Sequence, residues 1–490
     1  MKRRLLYILI ALTLSLEAMA QTELQKSIQK LTEEPAFTEA VMSICVRTGD
    51  GQTLVDIDSD NMLIPASNMK LITTGAALHH LGPDFRFKTK IGYSGEVKDG
   101  VLYGDLFIIG GGDPTLASKD TIAQPLQKTF ALWERMIREE GIRRIEGRII
   151  GDGRYFEGMP DHETWQWADL GTYYGCGATG LMFYENMSSF MVSAGSEPGA
   201  PVSIQMHYPM TPWMEIRQNC TTGNSGTGDQ LYLYASDLAP VAEFRGTFAV
   251  DRARKRLDCS NKFPEYTCAD YFANFLKTKG INSSDGPADF RLCSTPDTLS
   301  AARISGWTES NTLERIIFET NHASNNLYAE TILRTLGKEM TGSADYSSSC
   351  AAIDTILSNL SVDTSRGFHI VDGSGLSRQN YISSDFMCRF LEAMMHSPHF
   401  EDFISSLPSP GSDGTLASNM KDHPAELRQR IKVKSGSMNG VRCYSGYVIP
   451  TQGCKENTIL FSIMINNSTS PSWKVRQLCD KIMAAIAAAN

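Results

Sequence analysis

Three serine–lysine pairs in this 490-residue chain have the spacing S-x-x-K, which could support nucleophilic chemistry. Residues three apart lie on one face of a helix, so the lysine amine can take the serine proton if the site lowers the pKa of the amine. The pairs are Ser27/Lys30, Ser67/Lys70 and Ser418/Lys421. Because the motif alone is unspecific, the surrounding sequence must separate them.

Only Ser67 stands where a long apolar helix is expected to begin. Apolar residues recur at helical spacing from Met69 to Leu81. Burial there would desolvate Lys70 and favour its neutral form, which a general base needs. Ser27 lies on a polar face, and Pro424 prevents a long helix after Ser418. The alternative for Ser67/Lys70 is a capping serine beside a surface lysine.

Two further short motifs carry suitable groups. Ser324-Asn325-Asn326 falls in a polar break between predicted helices over 312–320 and 327–336, where an ordinary helix cap is the alternative. Lys434-Ser435-Gly436-Ser437 ends a predicted strand over 430–434. A lysine and a hydroxyl there could bind a carboxylate, and the glycine would allow close backbone approach. The alternative is an edge strand protected by lysines.

The elements around these motifs predict a mixed α/β protein. A hairpin is expected over 41–55, strands over 441–448 and 457–465, and an Ala-rich helix over 475–488. Between residues 85 and 303 the pattern consists of short β-like runs separated by turns. Ser67 and Ser324 are 257 residues apart and Ser324 and Lys434 only 110, so we expect a β-rich insertion between the first two motifs.

The N-terminus predicts export. Lys2-Arg3-Arg4, an apolar run over 5–16 and Ala18-Met19-Ala20 have the pattern of a signal peptide over residues 1–20. The apolar run is too short for a membrane anchor, which needs about 20 residues. Without this segment the chain keeps 43 basic and 54 acidic residues, a net charge of −11 that argues against nucleic acid. There is no C-x-x-C or H-E-x-x-H motif, and we expect no metal or cofactor.

Taken in order, S-x-x-K, S-x-N and K-[ST]-G resemble the motifs of penicillin-binding proteins and serine β-lactamases. The spacing and the surrounding residues resemble the class C low-molecular-mass penicillin-binding proteins, the D-alanyl-D-alanine carboxypeptidase/endopeptidase family. The likeness also covers residues 110–116 (GGGDPTL), 173–175 (YYG), 372–378 (DGSGLSR), 407–408 (LP), 413–416 (DGTL) and 446–447 (GY). This chain departs from the family pattern at three positions. Ser435 and Ser437 occupy positions where the family usually has Thr, and Asn325 occupies one where it usually has Asp.

The resemblance implies a role for each motif residue. Ser67 would be the acylated nucleophile, Lys70 its general base and Ser324 the proton relay to the leaving amine. These are the expected catalytic residues. The expected substrate-binding residues are Asn326 for the substrate amide, Lys434 and Ser435 for the terminal carboxylate, Gly436 for close backbone approach, and Ser437. The backbone N–H groups of Ser67 and Ser437 would form the oxyanion hole. Lys434 would also act as a like charge that keeps Lys70 neutral.

The resemblance further implies a transpeptidase/β-lactamase-like domain, with helices around an antiparallel sheet, split by inserted β-rich domains. The expected boundaries are 21–88 and 304–490 for the split domain, 89–113 and 206–303 for the insertion, and 114–205 for a nested domain. The expected protein is periplasmic or secreted, acts on peptidoglycan stem peptides and is acylated by β-lactams. A serine β-lactamase or esterase, or a non-catalytic cell-wall binding protein, is the alternative.

Overall fold

The structure is a computed structural model that describes residues 23–293, 300–412, 414–451 and 457–489. The predicted signal peptide and Asp413 lie outside these ranges. Within them, every helix is too short or too polar to cross a membrane.

Helices and strands are numbered along the described chain. The helices are α1 (23–32), α2 (Met69–Leu81), α3 (Leu126–Glu139), α4 (Pro264–Thr278), α5 (Leu313–His322), α6 (Asn326–Thr341), α7 (Tyr346–Asn359), α8 (Ser384–His396), α9 (Phe400–Ser405), α10 (Ala425–Gln429) and α11 (Ser472–Ala488). The strands are β1 (Val41–Thr48), β2 (Thr53–Ile57), β3 (Met62–Leu63), β4 (Lys88–Tyr93), β5 (Glu96–Lys98), β6 (Val101–Tyr103), β7 (Leu106–Ile109), β8 (Arg144–Glu146), β9 (Arg148–Asp152), β10 (Met187–Ser193), β11 (Ser203–Tyr208), β12 (Glu215–Gly223), β13 (Asp229–Ala235), β14 (Val241–Ala249), β15 (Lys255–Ser260), β16 (Gly286–Asp289), β17 (Arg303–Glu309), β18 (Phe368–His369), β19 (Tyr381–Ser383), β20 (Ile431–Met438), β21 (Val441–Val448) and β22 (Ile459–Asn466).

The chain divides into two compact units. Unit 1 comprises the described residues within Met1–Pro83, Ile317–Asn325 and Cys350–Asn490, and unit 2 those within Asp84–Ile316 and Asn326–Ser349. Helices α5 and α7 therefore each contribute to both units. The domain boundaries expected from the sequence stay a prediction.

Unit 1 is built on a five-stranded sheet in the order β2-β1-β22-β21-β20, with antiparallel neighbours throughout. The predicted hairpin and the three C-terminal strands all belong to it. Apolar side chains of α1 and α11, such as Ile28, Ile482 and Met483, form one core with Val46 and Ile463 of the sheet. This arrangement confirms the predicted helices around an antiparallel sheet.

Helix α2 is buried almost all round, from Met69 to Leu78. A helix that is apolar on every side belongs in a protein interior. Its close neighbour is α8, because a Cβ at Gly75 would lie 2.7 Å from the ring of Phe390. The helix that begins beside Ser67 is thus held on several sides, which fixes the position of its first turn.

Unit 2 is rich in strands, as predicted. Its sheets have the orders β16-β9-β7-β4-β17, β11-β10-β15, β12-β14-β13 and β5-β6-β8. The sequence analysis overlooked α3 and α4, which pack in the core of this unit. For α3 the signal was present, since Phe130, Trp133 and Ile137 recur at three- and four-residue spacing and are buried.

Candidate active site

Ser67 lies in a single 3₁₀ turn, Ala66–Asn68, that leads directly into α2. The turn is tightly enclosed: a Cβ on Gly375 would lie 1.9 Å from the carbonyl oxygen of Ala66. Ala66 has a φ of 46°, a left-handed conformation that is uncommon for a residue with a side chain. Such strain persists only where the surrounding packing imposes it. The hydroxyl of Ser67 is therefore presented by a rigid, strained turn.

The predicted pairing of Ser67 with Lys70 is present in the structure. Lys70 Nζ donates hydrogen bonds to Ser67 Oγ at 3.0 Å and to the carbonyl oxygen of Ser374 at 2.7 Å. Lys70 is fully buried, as the apolar helix predicts. The two competing pairs behave differently, since each of the following residues is exposed: Ser27, Lys30, Ser418 and Lys421. Only the Ser67/Lys70 pair therefore combines a buried lysine with a hydrogen bond to the serine, as the sequence context predicts.

The loop that contains Ser374 is organised by the buried carboxylate of Asp372. Its oxygens accept hydrogen bonds from the backbone N–H groups of Gly375 at 2.8 Å and Ser377 at 2.6 Å, and from Asn380 Nδ2 at 2.8 Å. These hydrogen bonds fix the loop whose Ser374 carbonyl oxygen accepts from Lys70. Residues 372–378 belong to the family resemblance, but no sequence pattern predicts the contact of Ser374 with Lys70.

Ser324 lies between α5 and α6, as the predicted helix–loop–helix required. Its φ is 56°, so it too adopts the left-handed conformation. Lys434 Nζ donates to Ser324 Oγ at 2.9 Å and to the carbonyl oxygen of Ser435 at 2.8 Å. The structure thus joins the second and third motifs, which are 110 residues apart, in a second serine–lysine pair.

Lys434 is fully buried, which excludes the alternative of a surface lysine that protects a strand edge. Burial lowers the pKa of Lys434 well below its usual value of 10.5, and the charge of Lys70 lowers it further. The sequence analysis predicts the same repulsion, acting on Lys70. Because the repulsion is mutual, the site disfavours two positive charges at once and favours one amine that can accept a proton.

Strand β20 is the edge strand of the sheet, and its side chains alternate between two faces. Ile431 and Val433 enter the core that α11 covers. Gly436 lies on the opposite face, where a Cβ would be 2.7 Å from the Pro65 carbonyl oxygen and 3.0 Å from Asn68 Oδ1. The glycine therefore allows β20 to approach the Ser67 turn, as the sequence predicts.

The other predicted site residues, Ser435, Ser437 and Asn326, each make one contact described below. The hydroxyls of Ser435 and Thr415 lie 3.0 Å apart and share a hydrogen bond. Ser437 is exposed and pairs across the strands with Arg442. Asn326 belongs to unit 2, where its Nδ2 donates to the carbonyl oxygen of Tyr174 at 2.8 Å. The contact of Thr415 with Ser435 is not predicted by the sequence, although the DGTL segment that contains Thr415 is part of the family resemblance.

Comparison with known proteins gives a consistent result. The sequence model of the D-Ala-D-Ala carboxypeptidase 3 (S13) family matches residues 24–487. A D-alanyl-D-alanine carboxypeptidase from an Actinomadura species is 28% identical over 469 residues, which cover 92% of this chain and 82% of the relative. D-alanyl-D-alanine carboxypeptidase DacB of Haemophilus influenzae is 21% identical, over 92% of this chain and 90% of the relative. The crystal structure of penicillin binding protein 4 from H. influenzae superposes with a TM-score of 0.79 at 19% identity, covering 94% of this chain and 97% of that one.

Proposed function

Because this chain belongs to the D-Ala-D-Ala carboxypeptidase 3 (S13) family and is a serine-type D-Ala-D-Ala carboxypeptidase, we propose that Ser67 is its nucleophile and Lys70 the general base. The hydrogen bond of 3.0 Å from the fully buried Lys70 amine to Ser67 Oγ carries this proposal. In the neutral form, the same amine would accept the serine proton as the hydroxyl attacks the peptide carbonyl.

Ser324 and Lys434 form the second part of the proposed mechanism. Ser324 would pass a proton to the leaving amine, and its 2.9 Å contact with Lys434 Nζ gives it a partner for that transfer. The backbone N–H groups of Ser67 and Ser437 would stabilise the oxyanion of the tetrahedral intermediate. Asn326 would orient the substrate amide from the start of α6.

Lys434 and Ser435 would bind the terminal carboxylate of the substrate. In the free enzyme, burial and Lys70 favour the neutral form of Lys434 by lowering its pKa. An arriving carboxylate favours the protonated form, because an opposite charge stabilises it. Substrate binding would therefore draw a proton to Lys434 and leave Lys70 as the neutral base.

The proposed substrates are peptidoglycan stem peptides ending in D-Ala-D-Ala and the cross-links between them. Water would then release the acyl group from Ser67. The same serine would open a β-lactam ring and be released slowly, so penicillin would act as a covalent inhibitor. The N-terminal segment supports a periplasmic or secreted location for the mature enzyme.

The decisive experiment is intact-mass analysis after incubation with benzylpenicillin, followed by peptide mapping. We expect one adduct, on the peptide that contains Ser67, and none in Ser67→Ala. The exposed Ser418, in the second SNMK sequence, supplies the control, since Ser418→Ala should label normally. Rapid turnover of nitrocefin without a lasting adduct would instead identify a β-lactamase. Equal labelling of wild type and Ser67→Ala would contradict the proposal.

A further inference from the structure

A cavity of 350 Å³ opens beside Ser435, on the face of the sheet that α11 covers. Its lining includes Thr415, Ser435, Arg442, Ser472, Trp473 and Arg476. The hydroxyls of Ser435 and Thr415, which share a hydrogen bond, line one part of the cavity. The cavity therefore borders the hydroxyl of Ser435 that is proposed to bind the substrate carboxylate. Trp473 is 55% exposed and offers an apolar surface at the other side.

Two half-buried arginines make this cavity cationic. Arg442 donates to the hydroxyl of Ser472, and Arg476 Nη1 donates to Ser418 Oγ at 2.9 Å. Both partners are uncharged, and within the described ranges neither arginine forms an ion pair. The Asp480 carboxylate, whose oxygens accept hydrogen bonds from Asn419 and the Met420 backbone, interacts electrostatically with Arg476 and offsets part of its charge. It does not line the cavity, which keeps two guanidinium groups in its wall.

The cationic character contrasts with the charge of the whole chain, whose formal net charge is −9. A local excess of one sign in a concave site attracts ligands of the opposite sign. Arginine is also well suited to carboxylates, because its planar guanidinium can donate two parallel hydrogen bonds. The chemistry of the cavity thus fits an anionic ligand rather than a neutral one.

A second cavity, of 460 Å³, continues from the first. It shares Arg442 and Ser472 and extends along Asn439 and Gly440 to Ser470. Together the two cavities form a groove that is lined by Ser435 at one cavity and by Gly440 and Ser470 at the other. We call it the arginine groove.

We propose that the arginine groove binds the leaving half of a peptide cross-link, with Arg442 and Arg476 contacting carboxylates of that peptide. This inference rests on the proposed function, in which Ser435 binds the carboxylate of the residue whose amine leaves. Any peptide attached to that residue must continue past Ser435. A single terminal D-alanine would end at Ser435, so the groove serves endopeptidase cleavage rather than carboxypeptidase cleavage.

The test uses two synthetic substrates with the same acyl half, whose leaving peptides carry either glutamate or its neutral isostere glutamine. We expect the wild-type enzyme to cleave the glutamate substrate with a kcat/KM about tenfold higher, since one or two half-exposed ion pairs give effects of this size. The preference should lie in KM and weaken at high ionic strength.

In the double variant Arg442→Gln/Arg476→Gln we expect the two substrates to become equivalent to within about twofold. The matched control is Lys421→Gln/Lys474→Gln, which removes two exposed positive charges of the same unit outside the cavity lining and should keep the preference. Because the ratio of kcat/KM for the glutamate and glutamine substrates is taken within each enzyme, any general loss of activity cancels.

Equal kcat/KM values for the two substrates in the wild-type enzyme would overturn the proposal, and this result requires no variant. A preference that survives in the double variant would overturn it as well. Failure of the proposed function looks different, because the wild-type enzyme would then cleave neither substrate and form no penicillin adduct.

Discussion

Replacing Lys434 by methionine should change how the stability of the protein depends on pH. Methionine has a similar length but no charge, so the substitution removes a buried amine whose pKa is lowered by burial and by Lys70. It also removes hydrogen bonds to Ser324 and Ser435, at a pH-independent cost of about 1–3 kcal/mol. The pH-dependent part of the difference isolates the buried amine.

The direction of this pH dependence follows from how many protons the folded and unfolded chains bind. Below the lowered pKa, Lys434 is charged in both the folded and the unfolded chain, and its full destabilising effect is present. Between that pKa and the usual 10.5, only the unfolded chain holds the proton. The stability of the wild type relative to Lys434→Met therefore rises with pH in this window, by up to about 1.4 kcal/mol per pH unit, and levels off above it.

Urea unfolding at a series of pH values from about 7 to 10.5 measures this difference by linear extrapolation. Lys474→Met, at an exposed position, controls for the introduced methionine. In Lys70→Met the like charge is gone, so the rise attributed to Lys434 should begin at a higher pH. A stability difference between wild type and Lys434→Met that stays constant over the whole range would refute the reasoning.

Three further substitutions test the geometry of the site. Gly436→Ala should slow penicillin acylation about 10- to 100-fold, because its Cβ would displace β20 or the Ser67 turn; a wild-type rate would contradict this. Ser324→Gly should be about 1 kcal/mol more stable to urea than Ser324→Ala, because only glycine relieves the positive φ; equal stability would count against strain. Asp372→Asn should lower stability by about 2–4 kcal/mol, since the amide keeps only one accepting oxygen and turns its NH2 group toward the buried N–H of Ser377; a change below about 0.5 kcal/mol would show that the loop is held otherwise.

The sequence by itself determined those features that depend on neighbours in the chain. The S-x-x-K spacing placed Lys70 one turn from Ser67, and the apolar residues after it predicted the burial of that helix. Alternation and turn signals predicted the hairpin and the C-terminal strands of unit 1. Local periodicity carries this information because helices and strands repeat over 3.6 and 2 residues.

Tertiary structure alone decided which distant groups meet. Ser374 reaches Lys70 from 304 positions away, and Lys434 reaches Ser324 from 110. The joining of Arg442 and Arg476 in one groove likewise depends on how α11 packs against β21. No periodic pattern encodes such contacts, because they arise when the packed sheet and helices close long loops. The sequence predicted the reactive residues, and packing determined which groups they contact.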